Sequence, residues 1–357
     1  MAELVMDQAV PVREGETLDR DTLEAYLCAH LDDLDGPLSI EQFPSGFSNL
    51  TYLLRLGEKQ LVLRRPPFGN EVKSAHDMSR EYRVLSCLSR VYPPAPRPLL
   101  FCDDPSVIGD DFYVMERKHG VVLRGPEAPD LLQNNEQVVR QLCESFIDNL
   151  ATLHTLDYNA AGLGQLGRPE GYVERQVSGW AERYQSARTD DHPEMKVLAA
   201  WLLDNQPADC GPALIHNDYK YDNLMLDARD PTRIVAVLDW EMATIGDPLM
   251  DLGTTLAYWI QPSDPEELHA RAFGPTLLPG SMTRDELVCR YSEKTGLVTD
   301  RLCFYCSYGL FKLAVIIQQI YARYVRGHTQ DPRFRDLGTT VEQLAQRGVE
   351  MVQDGTP

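Results

Sequence analysis

The stretch of sequence that decides the fold runs from Leu214 to Asp251 and reads LIHNDYKYDNLMLDARDPTRIVAVLDWEMATIGDPLMD. Its short apolar runs alternate with polar loops, and apolar runs bounded by turn residues are typical of strands. Asp218, Asn223 and Asp239 are therefore expected at strand ends and on one loop. Two acids and an amide held in this way suit phosphoryl transfer from a magnesium nucleotide. In that reaction a carboxylate orients a hydroxyl, and carboxylate and amide oxygens hold the metal.

The composition limits the classes of protein to which this chain can belong. The chain has 357 residues, of which 43% are hydrophobic and 25% charged, as in globular proteins of one large or two small domains. A net charge of -20 predicts no nucleic-acid partner and no membrane partner, because like charges repel. The amino terminus has no secretory pattern, and the densest apolar run, Phe311 to Ile317, is too short to span a bilayer. With eight scattered cysteines interpreted as reduced thiols, we expect a cytoplasmic protein.

The residues before the deciding stretch predict a small antiparallel sheet with one helix. Alternating polarity indicates the strands, and an apolar face at helical spacing indicates the helix. The loop at Ser45 to Asn49 is either an ordinary hairpin loop or a cover for phosphates, and Glu81 is either a surface charge or the partner of Arg64. The expected elements are a helix over 17–34, strands over 38–43, 50–56 and 60–65, a helix over 74–91, and strands over 99–102 and 112–117.

From about residue 129 onward the pattern is almost all helical. This indicates an α+β protein with a two-lobe organisation: an N-terminal helical extension over 1–35, a sheet lobe over 36–117 and a helical lobe over 118–357. The expected helices cover 131–156, 172–188, 194–205, 248–259, 284–295, 301–324 and 335–353, and the deciding stretch follows the third and runs into the fourth.

Three motifs carry a resemblance to a known family. They are His216-Asn217-Asp218 with Asn223, then Leu238-Asp239-Trp240-Glu241, then Gly246-Asp247-Pro248-Leu249-Met250-Asp251-Leu252-Gly253. In this order they resemble the aminoglycoside phosphotransferase and choline kinase family, a small-molecule branch of the protein-kinase-like fold. The segments at 62–67, 80–85 and 174–176 are similar to the subgroup that includes the kinase-like domain of some acyl-CoA dehydrogenases. The resemblance covers 36–324 and implies an ATP-dependent, Mg²⁺-requiring kinase of a small-molecule hydroxyl.

The resemblance also implies roles for the matching residues. Asp218 would orient the attacking hydroxyl or accept its proton, and Lys220 would contact the transferred phosphoryl group. Asn223 and Asp239 would hold Mg²⁺ through hard oxygen ligands. The nucleotide would bind to Ser48, Asn49, Arg64, Glu81 and the hinge Met115-Glu116-Arg117.

His216 is expected to brace its loop, and Asp251 to be a structural carboxylate at a helix start. The sequence does not choose between ATP and GTP, and it leaves the oligomeric state open.

One departure keeps a second hypothesis open. The wider fold has a lysine on its third strand where this chain has Arg64, so a non-catalytic nucleotide-binding pseudokinase competes with an active enzyme. Among substrates, a hydroxyacyl-type metabolite competes with an aminoglycoside, an amino sugar or a choline-like cation. Lys312, Arg323 and Arg326, expected on a helix over 304–325, are compatible with either class. A metal hydrolase using His216, Asp218 and Asp222 is a further alternative.

Overall fold

The computed structural model describes residues 7–44, 49–68, 77–329 and 331–355, which fall into two compact units. The first, here the sheet unit, comprises Met1–Val122, Asn159–Leu163 and Asn223–Ala243. The second, here the helical unit, comprises Leu123–Tyr158, Gly164–Asp222 and Thr244–Pro357. The residues expected as an N-terminal extension thus belong to the sheet unit, which also takes in a segment from the deciding stretch.

The elements follow one another in mixed order along the chain. The strands are β1 (Leu38–Gln42), β2 (Leu50–Leu56), β3 (Lys59–Arg65), β4 (Pro98–Cys102), β5 (Phe112–Glu116), β6 (Val121–Val122), β7 (Ala213–Ile215), β8 (Leu224–Leu226), β9 (Ile234–Val237) and β10 (Thr244–Gly246). The helices are α1 (Arg20–His30), α2 (Met78–Leu88), α3 (Pro105–Ile108), α4 (Asp130–Gln133), α5 (Glu136–His154), α6 (Tyr172–Ala187), α7 (Pro193–Asp204), α8 (Pro248–Tyr258), α9 (Glu266–His269), α10 (Arg284–Thr295), α11 (Leu302–Val325) and α12 (Leu337–Asp354).

The sheet unit is built on an antiparallel sheet with the strand order β1-β2-β3-β5-β4. Alternate residues of β2 and β3, such as Tyr52 and Leu63, join α1 in one buried cluster, as the period of two requires. Burying side chains of this size contributes about 1.5–3 kcal/mol each. The tight β2–β3 turn needs Gly57, because its φ is 54° and a Cβ there would lie 2.6 Å from the Asp35 carbonyl oxygen.

Helix α2 is the helix embedded in this unit. Its N-cap, Asp77, accepts a hydrogen bond from the backbone N–H of Arg80, which satisfies a free donor of the first turn. The buried face carries Glu81 among apolar residues such as Val84 and Leu85. The helix therefore places the Glu81 carboxylate inside the sheet unit. Glu81 is thus not a surface charge.

A second small sheet belongs to the same unit. Strands β6, β8 and β9 pair antiparallel, with Leu224 opposite Val237. The backbone N–H of Leu238 donates to the Asn223 carbonyl at 2.8 Å. Asn223 and Asp239 consequently lie at the same end of the β8–β9 pair, one just before its first strand and one just after its last.

The helical unit packs around α11, which contacts α6, α7, α8 and α12. Helices α8 and α11 pack closely against each other: a Cβ added to Gly309 would lie 2.3 Å from the Gly253 carbonyl oxygen. Strands β7 and β10 pair antiparallel in this unit, and β7 ends directly before His216. The expected combination of a small antiparallel sheet with a helix and a mostly helical remainder is confirmed.

The length of α11 corrects one expectation from the sequence. In the described part of the chain, this 24-residue helix is long and apolar enough to cross a membrane by length and composition. Lys312 interrupts the apolar residues of this helix and Gln318 ends the run over 311–317, so a search for unbroken apolar runs does not find the whole helix. Of the most apolar 18-residue window of this helix, 72% is buried inside the structure, as is typical of a core helix.

Candidate active site

In the sheet unit, the candidate site begins with a cation between two carboxylates. Arg64, near the end of β3, places Nη2 2.8 Å from Asp239 Oδ1 and Nε 3.4 Å from Glu81 Oε2. The predicted pairing of Arg64 with Glu81 is therefore present, as an ion pair rather than a hydrogen bond, and a second carboxylate shares the same guanidinium. Glu81 Oε1 also accepts the backbone N–H of Trp240 at 3.2 Å, which ties α2 to the turn after Asp239.

Burial controls the electrostatics of this group. It raises the pKa of the Glu81 carboxyl, while the charge of Arg64 acts in the opposite direction. The pKa of Arg64 is raised well above its usual value: burial alone would lower it, but Glu81, Tyr113 and Asp239 outweigh that effect. Only 10% of the Arg64 side chain and 1% of the Glu81 side chain are exposed. The guanidinium therefore stays charged and holds both acids in place.

Asp239 and Asn223 have the chemistry that a magnesium ion needs. Asp239 has a φ of 66°, a left-handed conformation that is costly for most residues and often found at functional sites. Its side chain is 30% exposed, whereas Asn223 is 9% exposed. Among the described residues, no group of three or more His, Cys, Asp or Glu could hold a metal. An ion here would thus rely on one carboxylate, one amide oxygen, water and phosphate, which is how Mg²⁺ usually binds.

The loop side of the expected nucleotide site is only partly visible. Ser48 lies outside the described residues. Asn49 is buried at 3% exposure, and its amide donates to Glu241 Oε2 at 2.6 Å. The sequence predicted Asn49 as a nucleotide ligand; the structure gives its amide group a carboxylate acceptor in the same unit.

The expected hinge lies at the end of β5. The backbone N–H of Glu116 donates to the Arg97 carbonyl at 2.9 Å, and its carboxylate accepts the Arg97 N–H and pairs with Lys118. Arg117 donates to Gln60 Oε1 at 2.5 Å, and Met115 is buried at 7% exposure. The side chains of this segment therefore contact other groups of the protein. The backbone N–H of Glu116 already donates a hydrogen bond within the sheet unit.

In the helical unit, the loop after β7 is anchored by a buried acid. Asp251, on the first turn of α8, accepts the backbone N–H groups of His216 and Asn217, each at 2.8 Å. It also accepts from His154 Nε2 at 3.0 Å, and the other ring nitrogen of His154 is bonded to Tyr291 at 2.7 Å. Burial raises the pKa of Asp251, but the hydrogen bond and charge of His154 outweigh it, so that the pKa is lowered.

These contacts extend the two structural interpretations made from the sequence. Asp251 is structural, but its carboxylate fixes the loop that carries Asp218 rather than only starting a helix. His216 braces its own loop, because its Nδ1 accepts the N–H of Asp218 at 3.3 Å and its side chain is fully buried. A metal-hydrolase role for His216 has no support, since no group of three or more His, Cys, Asp or Glu in the described part of the chain could hold a metal.

The Asp218 carboxylate is held by two groups. Lys220 Nζ lies 3.0 Å from both carboxylate oxygens, and the Tyr258 hydroxyl donates to Oδ1 at 2.7 Å. The side chains of Asp218 and Lys220 are 18% and 16% exposed, so both remain accessible to a ligand. The structure thus brings the two predicted catalytic residues together and adds Tyr258, which the sequence analysis missed. Tyr258 follows Asp251 on α8 at a spacing of two helical turns, and this is the signal that could have found it.

A small cavity adjoins this carboxylate. Its volume is about 10 Å³, room for roughly one water molecule, and it is lined by Phe146, Lys220, Tyr221, Thr255, Tyr258, Trp259, Phe273 and Thr276. Lys220 Nζ lies 4.7 Å from the ring centre of Tyr258 and 5.4 Å from that of Phe273, within reach of cation–π attraction. Thr255 and Thr276 are buried, and their hydroxyl oxygens have no hydrogen-bond partner. The cavity is aromatic, with a cation and two unused hydroxyls on its walls.

Comparisons with known proteins agree with this arrangement. The family model described as "Phosphotransferase enzyme family" matches residues 39–284. Acyl-CoA dehydrogenase family member 11 of Gallus gallus is 36% identical over 95% of this chain, which spans only 44% of that protein.

Two solved structures are similar over nearly the whole chain. A proposed aminoglycoside phosphotransferase of Ralstonia eutropha JMP134 is 31% identical, with a TM-score of 0.81 over 95% of this chain and 99% of that one. The choline kinase of Cryptosporidium parvum has a TM-score of 0.62 at 14% identity, over 89% and 90%, and shares the fold alone. The fold is thus protein-kinase-like, and the chain belongs to the phosphotransferase enzyme family.

Proposed function

We propose that this protein is an ATP-dependent kinase that phosphorylates a hydroxyl group of a small metabolite. The observation that carries the proposal is the Asp218 carboxylate, which is oriented by Tyr258 and Lys220 on a loop that Asp251 anchors. Family membership supports phosphoryl transfer as the reaction class.

In the proposed reaction Asp218 accepts a hydrogen bond from the acceptor hydroxyl and points its oxygen at the γ-phosphorus. The new P–O bond forms as the bond to the β-phosphate oxygen breaks, ADP leaves, and the hydroxyl proton passes to Asp218. Lys220 then balances negative charge on the transferred group, as a point charge suited to phosphate. Because the transition state is loose, orientation contributes more than basicity.

The nucleotide side of the proposal uses residues of the sheet unit. Asn223 and Asp239 would hold Mg²⁺, which neutralises phosphate charge when bound. Arg64, which Glu81 and Asp239 orient, would contact phosphate oxygens with guanidinium N–H groups other than the one that donates to Asp239. ATP is the proposed donor, and GTP is tested beside it.

The acceptor is proposed to be neutral or anionic rather than cationic. The side chains that line the cavity include no carboxylate among the described residues, and the one charged group is Lys220. The ammonium of Lys220 already lies near the aromatic faces that a choline-like cation would need. Although Lys220 is paired with Asp218, its ammonium already uses these aromatic faces, so a hydroxylated metabolite, including one of the hydroxyacyl type, is the better candidate.

A pseudokinase is the second candidate, and one contact favours it. Arg64 donates to Asp239 Oδ1 at 2.8 Å, so a guanidinium binds one oxygen of the proposed metal ligand. A metal ion held by Asp239 would have to share the carboxylate with this guanidinium or displace it. If neither happened, nucleotide could bind without phosphoryl transfer.

An acceptor panel separates these possibilities. Purified protein is incubated with Mg-ATP or Mg-GTP and with hydroxyl compounds of three charge classes: choline and an aminoglycoside, neutral polyols, and hydroxy acids with their thioesters. Mass spectrometry then detects an added phosphate group. We expect product from neutral or anionic acceptors. Product from the cations alone would contradict the proposed acceptor class, and the absence of product in every class would favour the pseudokinase.

A further inference from the structure

Asn217, the residue before Asp218, is held at three points by three helices. Its backbone N–H donates to Asp251 Oδ1 of α8 at 2.8 Å, and its carbonyl accepts from Lys312 Nζ of α11 at 2.7 Å. Its side-chain oxygen accepts from the Tyr172 hydroxyl of α6 at 3.2 Å. With a φ of 67°, Asn217 has a left-handed conformation that needs such support.

Lys312 is unusual among these partners because it is a buried cation. It is 2% exposed, and no ion pair joins it to a carboxylate among the described residues. Its neighbours on α11, including Phe311 and Leu313, are buried and apolar. Burying an ammonium without a paired carboxylate is unfavourable, so packing alone would favour an apolar side chain at this position.

We propose that Lys312 is a positioning residue, which fixes the backbone turn at Asn217 and thereby aims the Asp218 carboxylate at the acceptor hydroxyl. The inference rests on the proposed kinase function. Lys312 acts through a neutral carbonyl, and its ammonium is used within the protein instead of facing a ligand. This differs from the sequence interpretation, in which Lys312 was compatible with contacting a substrate.

The charged surroundings of Lys312 give the proposal a pH signature. Burial lowers the pKa of its amine to about 8, against the raising effect of Asp251 on α8 and of Asp218. Lys220 on the loop and Arg183 on α6 lower the pKa further. The other titratable groups nearby are the Tyr172 phenol on α6 and the Tyr308 phenol one turn earlier on α11. As the pH rises through about 8, the amine loses its charge and its hydrogen bond to the Asn217 carbonyl weakens.

The test compares three variants in steady-state kinetics. Lys312→Met keeps the side-chain length and removes the charge and the donor. Tyr172→Phe removes a different support of Asn217. Gln318→Met is the matched control: Gln318 is also buried on α11, and it donates to the Ala187 carbonyl, away from the loop.

We expect Lys312→Met to lower kcat roughly tenfold to a hundredfold, as misplaced catalytic groups do, with a KM within about twofold. Wild-type kcat should fall above pH 8 with one ionisation, and this fall should be missing in Lys312→Met. Tyr172→Phe should lower kcat and keep the fall, and Gln318→Met should leave kcat unchanged. A folded Lys312→Met protein with wild-type kcat and an unchanged pH profile would overturn the proposal. If that variant does not fold, Lys312→Gln, which keeps a donor without the charge, takes its place: it should lower kcat less than tenfold and also lack the fall above pH 8, and a wild-type pH profile in this variant would overturn the proposal.

Hydrogen–deuterium exchange separates this inference from the kinase function. Exchange at residues 216–218 should be faster in Lys312→Met than in Gln318→Met, whether or not the wild type is active. An inactive wild type with this difference would refute the kinase and retain the role of Lys312 in holding the loop. Equal exchange in the two variants would refute that role.

Discussion

Arg64 stabilises two acids that would repel each other without it. The guanidinium contacts Glu81, which is 1% exposed, and Asp239, which is 30% exposed. Two carboxylates that share a buried site strongly disfavour their doubly charged state. A planar, permanently charged group can face both acids at once, and a lysine ammonium has no such fork. This geometry gives a physical reason for arginine on β3.

Removal of this cation should destabilise the protein strongly. We expect Arg64→Gln to lower the free energy of unfolding by about 3 kcal/mol, the low end for a broken buried ion pair, because Asp239 is partly exposed. Urea unfolding measures the change. Arg55→Gln, which breaks the exposed pair with Glu41 on the neighbouring strands, is the control and should cost less than about 1 kcal/mol.

A double-mutant cycle tests the cause. Because the unpaired Glu81 carboxylate accounts for much of the loss, the Arg64→Gln/Glu81→Gln protein should be less destabilised than the sum of the two single variants. Additive effects would contradict the proposed coupling between the two side chains.

Helices α8 and α11 together form the frame that holds the Asp218 loop. Helix α8 carries Asp251 and Tyr258, and α11 carries Lys312. The two helices approach closely where glycines face each other: a Cβ on Gly253 would lie 2.1 Å from the Tyr305 carbonyl oxygen. Backbone atoms cannot move aside as a flexible side chain does, so any added methyl group must separate the helices.

Gly309→Ala should therefore affect both stability and activity. Overpacking of this kind costs about 1–3 kcal/mol or more, and separation of the helices should also lower kcat because Lys312 lies one turn further on the same helix. Thermal unfolding and the phosphorylation assay measure the two effects. Gly179→Ala on α6 is the control, because its Cβ would meet only the Arg183 side chain at 3.6 Å and alanine is the better helix former by up to about 1 kcal/mol. Equal behaviour of the two variants would contradict the close-packing argument.

The sequence predicts the strands and helices of this molecule better than it predicts the contacts between them. Periodicity located the sheet strands and the long helices because this signal is local, and the ordered motif singled out Asp218, Asn223 and Asp239, whose roles stay a prediction. The role of Tyr258 toward Asp218, and that of Lys312 toward Asn217, depend on how distant segments pack within the helical unit. A single sequence does not show which distant segments pack together. In the sequence, a lysine that becomes buried cannot be told from an exposed one.

The division of the chain shows the same limit. The expected boundary followed chain order, whereas Asn223–Ala243 packs with the sheet unit although it lies between segments of the helical unit. The reason is the pairing of β8 with β6, which connects residues about a hundred positions apart. Long-range strand pairing of this kind is set by the fold and not by local pattern.

We propose that Asp218 makes this protein an enzyme and not only a nucleotide binder. The most direct test measures transfer of the γ-phosphate from ATP to an accepted hydroxyl compound in wild type and in Asp218→Asn, alongside the thermal stabilisation that Mg-ATP gives each protein. We predict product from the wild type, at least a hundredfold less from Asp218→Asn, and equal stabilisation of both by nucleotide. Equal stabilisation with no product from either protein, or undiminished transfer by Asp218→Asn, would contradict the claim.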